Sequence, residues 1–211
     1  MISIIIPHLS RPLNDEALEL TLDRLERWTF CRYEVLIPRE LECPYKLWNR
    51  YVDQAKYENI VFSNSDVIMS PGWEGRYLEF IDDNSIVCPY LIEPNVIGVA
   101  PVNIQRDFGR TPKEFIEREW AYLDWVRNSD HARRAAPMRL ERAWYMPCMM
   151  RKSLFDRLGR FETEKPFPEP NDIKLWDKAV AMGVALKRVS SYAYHFQNLS
   201  NPEHDHKRRL T

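Results

Sequence analysis

Glycine is scarce in this chain, with 6 in 211 residues. No G-x-G-x-x-G follows any apolar run, which excludes the dinucleotide-binding turn of a Rossmann dehydrogenase. Cysteine is scarce too. Cys31, Cys43, Cys88 and Cys148 form no C-x-x-C pair and no zinc-knuckle spacing, so reduced thiols in an intracellular, cytoplasmic protein are expected. Long apolar runs are missing: Met1 leads straight into Ile2-Ser3-Ile4-Ile5-Ile6. That run is too short for a signal core and far too short to span a bilayer. Charge of one sign is also lacking. The formal net charge of -1 removes any global drive toward nucleic acid or an anionic membrane. There is no internal repeat and no low-complexity stretch.

What is present is enough for a sizeable core. The chain is 45% hydrophobic and 12% aromatic, with seven Trp and ten Tyr. Most of these rings are packing residues, and some line a ligand cleft. The length suits one large domain or two small ones. Ile2 to Ile6 is β-branched and nearly continuous, as in a strand covered on both faces, and Pro7 ends it. Leu18, Leu22, Leu25 and Trp28 then recur at helical spacing. Tyr33 to Ile37 is a second strand, Trp48, Val52 and Ala55 mark a second helix, and Ile60 to Phe62 is a third strand. This β-α-β-α-β order predicts a mostly parallel sheet flanked by helices.

Beyond the Pro71-Gly72 break, Trp73 to Ile81 is predicted as a helix and Ser85 to Tyr90 as a strand. Thr111-Pro112-Lys113-Glu114 reads as a helix start, with Ile116, Trp120, Leu123 and Arg127 on one face. Trp144 to Met150 returns to the sheet. Ser153 to Leu158 is a short helix closed by Gly159. Phe161 to Pro170 is a loop, Asp172 to Met182 a helix ending at Gly183, and Val184 to Tyr194 a final strand. Asn198 to Thr211 is a polar tail.

Three places carry chemistry. In Asn64-Ser65-Asp66 an apolar strand runs into a carboxylate. Ligands of open parallel sheets bind outside the carboxyl ends of the strands. A carboxylate there suits Mg²⁺ or Mn²⁺ completed by a diphosphate; equally, these three residues are turn formers that bond their own backbone. Asp172 opens a helix after a proline-rich loop. It is either an N-cap or, with Asn171 capping, a general base facing a cleft. His195 follows the last strand. A lone histidine there is a hydrogen-bonded core or rim residue, or a third metal ligand. His204 and His206 sit in the charged tail without the setting of a metal site. Arg127, Arg133, Arg134, Arg139 and Arg142 form a basic stretch, either a solvated face or a phosphate contact.

Taken together these segments resemble a family 2 glycosyltransferase with the GT-A fold. Ser3-Ile4-Ile5-Ile6-Pro7 is similar to the family's opening strand, and Ile60 to Asp66 to its DxD-type motif. Pro71-Gly72-Trp73 resembles the stretch that follows that motif. Met150-Arg151-Lys152-Ser153-Leu154-Phe155-Asp156-Arg157-Leu158-Gly159-Arg160-Phe161 is similar to its small-residue and arginine segment. Asn171-Asp172-Ile173-Lys174-Leu175-Trp176 resembles the motif that carries the base. The resemblance implies Asp66 and His195 as metal ligands for Mn²⁺ or Mg²⁺, and Asp172 as catalytic base. It also implies a nucleotide-diphosphate sugar as donor and a GT-A-like catalytic domain over residues 1–197, followed by the tail at 198–211.

Two departures stand out. Pro38-Arg39-Glu40 stands where the family has the aspartate that reads the nucleotide base, so that contact is either absent or displaced to Glu40. Asn171 replaces the usual glutamate. Ser10 and Arg11 past the first strand, Lys46 and Asn49 on the second helix, and Asn64 are further candidates for donor contact.

The expected reaction is a metal-dependent, inverting transfer to an acceptor hydroxyl. A glycan or small molecule ranks first as acceptor, with a hydroxylated DNA base behind. The alternatives are a non-catalytic nucleotide- or sugar-binding module and a nucleotidyltransferase. The glycine-free Pro7-His8-Leu9-Ser10-Arg11 counts against the latter.

Overall fold

Strand β1 (Ile2–Ile5) is buried along its whole length, and it organises the rest. A computed structural model describes residues 1–94, 104–121, 138–139, 146–163 and 171–196, with only the backbone of 138–139 and 171–172. β1 pairs in parallel with β2 (Tyr33–Leu36) on one side and β3 (Asn59–Phe62) on the other. Helices α1 (Pro12–Trp28) and α2 (Pro44–Val52) make the two crossovers. The chain continues through β4 (Val67–Met69), α3 (Trp73–Phe80), β5 (Ser85–Glu93), β6 (Ile104–Gln105) and β7 (Met138–Arg139). It ends in β8 (Cys148–Arg151), α4 (Lys152–Arg157), α5 (Asn171–Ala181) and β9 (Ala185–His195).

The nine strands among the described residues join one sheet in the order β2-β1-β3-β8-β5-β9-β4, with β6 on β5 and β7 on β9. β1, β2, β3, β5, β6 and β9 run one way, and β4, β7 and β8 run against them. The sheet is therefore mostly parallel, as the alternation of elements predicts, and its fold class is α/β.

Side chains alternate across the sheet with the period of two that a strand imposes. Ile4, Val61, Met149 and Val87 pack with Leu18 and Leu25 of α1 and with Trp73 and Tyr77 of α3. Ile5, Phe62, Met150 and Ile86 pack with Trp48 and Val52 of α2, Phe155 of α4 and Trp176 of α5. Both faces are covered, which is why the strands read as nearly unbroken apolar runs. Ser3 is the polar exception. Its hydroxyl donates to Glu34 Oε1 at 2.6 Å and accepts the Tyr57 amide at 3.0 Å. Helices α4 and α5 both close on a left-handed glycine, Gly159 and Gly183. In each, the next amide bonds a carbonyl five residues back, the signature of a Schellman cap.

Three details differ from the sequence reading. Val67–Met69 is a strand paired with the end of β9, where a loop is expected. All three residues are buried, but the triplet is hidden between two groups of turn formers. β5 runs on to Glu93 because a bulge between Cys88 and Tyr90 absorbs Pro89. Thr111 caps nothing with its side chain, and Pro112–Glu114 is only a short 3-10 turn. Phe115 then leaves helical geometry to meet Trp120, Tyr194 and Phe196. A helical turn begins afresh at 117, so Ile116 is exposed while Trp120 is buried. Leu123, Arg127, most of the basic stretch and the tail at 198–211 lie outside the described residues. Among the described residues no helix is long and apolar enough to cross a membrane.

Candidate active site

The strand order 2-1-3 reverses direction between β1 and β3, and a crevice must open beyond their carboxyl ends. A cavity of about 550 Å³ lies there. Pro7, His8 and Leu9 following β1, Asn64, Ser65 and Asp66 following β3, and the 40–43 segment leading into α2 form its walls. Tyr45 and Trp48 of α2 supply aromatic lining. The Trp48 indole donates to the Ile5 carbonyl at 3.2 Å, which ties that wall to the end of β1.

The Asn64-Ser65-Asp66 turn is held from three sides. The Ser63 amide bonds the Ile5 carbonyl at 3.2 Å. From α1, Thr21 Oγ1 donates to the Ser65 carbonyl at 3.0 Å, and Asn14 Oδ1 accepts the Ser65 hydroxyl at 2.8 Å. From the end of β9, the Phe196 amide donates to the Asp66 carbonyl at 3.1 Å. Asp66 is thereby placed in the crevice wall with only 3% of its surface exposed.

His195 Nε2 stands 3.4 Å from Asp66 Oδ2, and its Nδ1 donates to Glu93 Oε1 at 2.7 Å. Burial works to lower this imidazole, but the Asp66 and Glu93 carboxylates outweigh it and carry the pKa up to about 10. A positive charge is therefore favoured at this point. Two ligands that share one ion at about 2.1 Å stand roughly 3 to 3.5 Å apart, so the Asp66–His195 pair fits a shared divalent ion. Among the described residues no group of three His, Cys, Asp or Glu side chains forms a metal site. Two protein ligands are what the described residues offer here, and Mg²⁺ or Mn²⁺ sites are commonly completed by substrate phosphates and water.

Of the residues singled out from sequence, the structure brings Glu40, Asn64 and Asp66 to the cavity and sets His195 beside Asp66. Glu40 Oε1 accepts from Arg50 at 3.1 Å and from the Tyr51 hydroxyl at 3.0 Å. Ser10, Arg11, Lys46 and Asn49 do not line the cavity. The Ser10 hydroxyl donates to Asp15, and Arg11 is the N-cap residue of α1. Lys46 is exposed. Asn49 is committed to the chain after α4: its amide donates to the Phe161 carbonyl at 2.8 Å and its oxygen accepts the Phe161 amide at 3.1 Å. Asp172 is the second residue of α5, and its side chain and that of Asn171 lie outside the described set.

The sequence reading missed His8, Asn14 and Glu93. His8 is buried in the cavity wall and donates from Nε2 to Asp15 Oδ1 at 2.7 Å, while Asn14 donates to the Leu9 carbonyl at 2.6 Å. His8 follows Pro7 at the carboxyl end of β1, and that position was a usable signal. Glu93 repeats the pattern that singled out Asp66, an apolar run ending in acid.

No family model and no curated protein matches the sequence. Solved structures match the fold. GalNAc-T7, in a structure with UDP, GalNAc and Mn²⁺, superposes with a TM-score of 0.65 over 92% of this chain at 13% identity. The fold is GT-A-like. S. aureus TarS 1–349 in complex with UDP gives a TM-score of 0.58 over 92% of the chain at 14% identity. The chain spans 43% and 60% of those two proteins' chains, so the GT-A-like unit corresponds to part of each.

Proposed function

We propose that this GT-A-like chain is a nucleotide-sugar-dependent glycosyltransferase, moving a sugar from a nucleoside diphosphate to an acceptor hydroxyl. The observation that carries the reading is the buried Asp66, paired with His195 in the wall of the crevice beyond β1 and β3. UDP in the GalNAc-T7 and TarS structures, and Mn²⁺ in the former, support a diphosphate donor and a divalent ion. A bound Mn²⁺ or Mg²⁺ would supply charge neutralisation of the diphosphate.

Asp66 and His195 would hold that ion. The cavity walls take the nucleoside, with Tyr45 and Trp48 as apolar surface and His8, Asn64 and Glu40 as polar neighbours. Asp172, at the start of α5, takes the proton from the acceptor hydroxyl. That hydroxyl attacks the anomeric carbon opposite the nucleotide while the bond from that carbon to the diphosphate oxygen breaks, so the sugar is transferred with inversion and the nucleoside diphosphate leaves. Acceptors rank as in the sequence reading, a glycan or small molecule ahead of a hydroxylated DNA base, because a net charge of -1 gives no general attraction to polyanions. The four free thiols suit a cytoplasmic, reducing setting.

Titration calorimetry with UDP tests the reading. UDP should bind with Mn²⁺ present and weakly with chelator, and Asp66→Ala should lose the metal-dependent part. Equal affinity under both conditions would overturn the metal role. UDP-sugar binding without turnover, across a panel of glycans, small alcohols and hydroxymethylated DNA, would assign the chain to a non-catalytic binding module.

A further inference from the structure

Glu93 closes β5 and His195 closes β9. The two strands pair in parallel with Ile92 beside Tyr194, so the next step of the ladder sets Glu93 beside His195. The Glu93 side chain is 9% exposed. Its Oε1 receives Nδ1–H of His195 at 2.7 Å, while Nε2, on the other side of the ring, faces Asp66 Oδ2 at 3.4 Å. A hydrogen bond at one imidazole nitrogen decides which nitrogen is left to present a lone pair. With Nδ1–H given to Glu93, Nε2 is the nitrogen that faces Asp66 and that would present its lone pair to a divalent ion there once its proton is lost. A buried carboxylate behind a metal-binding imidazole is the recurring outer-shell arrangement that orients the ring and raises its basicity.

We infer that Glu93 is a positioning residue, which holds His195 with Nε2 presented to the divalent ion that Asp66 shares. The inference rests on the proposed metal role of Asp66 and His195. Glu93 is not itself a ligand, because the ring stands between it and Asp66. The contact comes from strand register and not from a loop, so the ring is aimed before any donor arrives.

The test is Mn²⁺ affinity with saturating UDP, read from the electron paramagnetic resonance signal of free Mn²⁺. Glu93→Ala should weaken Mn²⁺ binding by about 10 to 100-fold, the usual effect of losing an outer-shell partner. Glu93→Gln keeps an acceptor for Nδ1–H and loses only the charge, so it should fall between wild type and Glu93→Ala. It also serves if the alanine variant does not fold. In a His195→Ala background, Glu93→Ala should weaken Mn²⁺ binding no further, since the ring it positions is gone. Wild-type Mn²⁺ affinity in both Glu93 variants, or a full additional loss in the His195→Ala background, would overturn the inference while leaving the metal site intact. Absence of Mn²⁺ binding in the wild type would instead remove the metal reading, and this inference with it.

Discussion

A carboxylate as buried as Asp66, with 3% of its surface exposed, survives in a folded protein only with a compensating positive charge and hydrogen bonds. His195 supplies the charge in the chain itself, and the four backbone and side-chain hydrogen bonds on the 63–66 turn keep the carboxylate from swinging out to water. Asp172 stands in a different position. It lies in the first turn of α5, where the helix dipole stabilises a carboxylate as an anion whether it caps or catalyses. Asp172→Asn separates the two roles. Asn keeps the size and shape of Asp and gives up only a dipole interaction of about 0.3–1 kcal/mol, so the melting temperature should hardly move. If the residue takes the acceptor proton, kcat should fall by roughly 10²- to 10⁴-fold, the contribution typical of a positioned acid or base, while UDP affinity persists. Near-native kcat beside an unchanged melting curve would remove Asp172 from the mechanism and leave the transfer reading on Asp66.

Elements decide how firmly the turn is held, and α1 contributes most. Asn14 is 1% exposed and bridges the Leu9 carbonyl and the Ser65 hydroxyl, so it joins the loop after β1 to the turn after β3 across the mouth of the crevice. Asn14→Ala leaves both groups short of a partner, at a cost of about 1–3 kcal/mol. A chain of this size should then melt lower by about 2–4 °C per kcal/mol, with weaker UDP–Mn²⁺ binding because Asp66 is less well placed. A lowered melting temperature with unchanged nucleotide affinity would make α1 a support of the fold only. Helix α1 itself is legible in sequence from Leu18 and Leu25, because a one-sided apolar stripe has one explanation. The clamp is not, since Asn14 and Thr21 look like ordinary helix-surface residues until tertiary structure buries them. The same limit hid β4, whose three residues carry too little period to show. It also broke the helix expected from Thr111, where the pull of Phe115 toward an aromatic cluster overrode local capping preference.

Across the described residues, the cavity and a pair of stabilising carboxylates sit at opposite ends of the parallel strands. The cavity lies beyond their carboxyl ends, where an acid after an apolar run made Asp66 readable in sequence; the same pattern marks Glu93, but only the pairing of β5 with β9 sets it against His195. The amino ends are tied by two other carboxylates. Glu34 accepts the Ser3 hydroxyl and the Lys56 amide, both at 2.6 Å, and so links β1, β2 and the approach to β3. Glu58 accepts the Ser153 hydroxyl at 2.6 Å and the Ser153 amide at 3.0 Å, anchoring α4. Burial works to raise both carboxyls, but these hydrogen bonds and the neighbouring Lys56, Arg151 and Lys152 charges outweigh it and hold both below the ordinary 4.5. A carboxyl whose pKa is lower in the folded chain binds protons more readily when unfolded. Its stabilisation is complete above the unfolded value and drains away as pH falls through the folded one. Melting temperature should therefore stay nearly level from neutral pH down to about 5 and decline below about 4.5, the unfolded glutamate range. The double variant Glu34→Gln with Glu58→Gln should melt lower than wild type at pH 7 and show a shallower acid decline, with UDP binding intact because both residues are remote from the cavity lining. Melting curves from pH 7 to pH 3 check this, and an acid decline as steep in the double variant as in the wild type would place the acid sensitivity elsewhere in the fold.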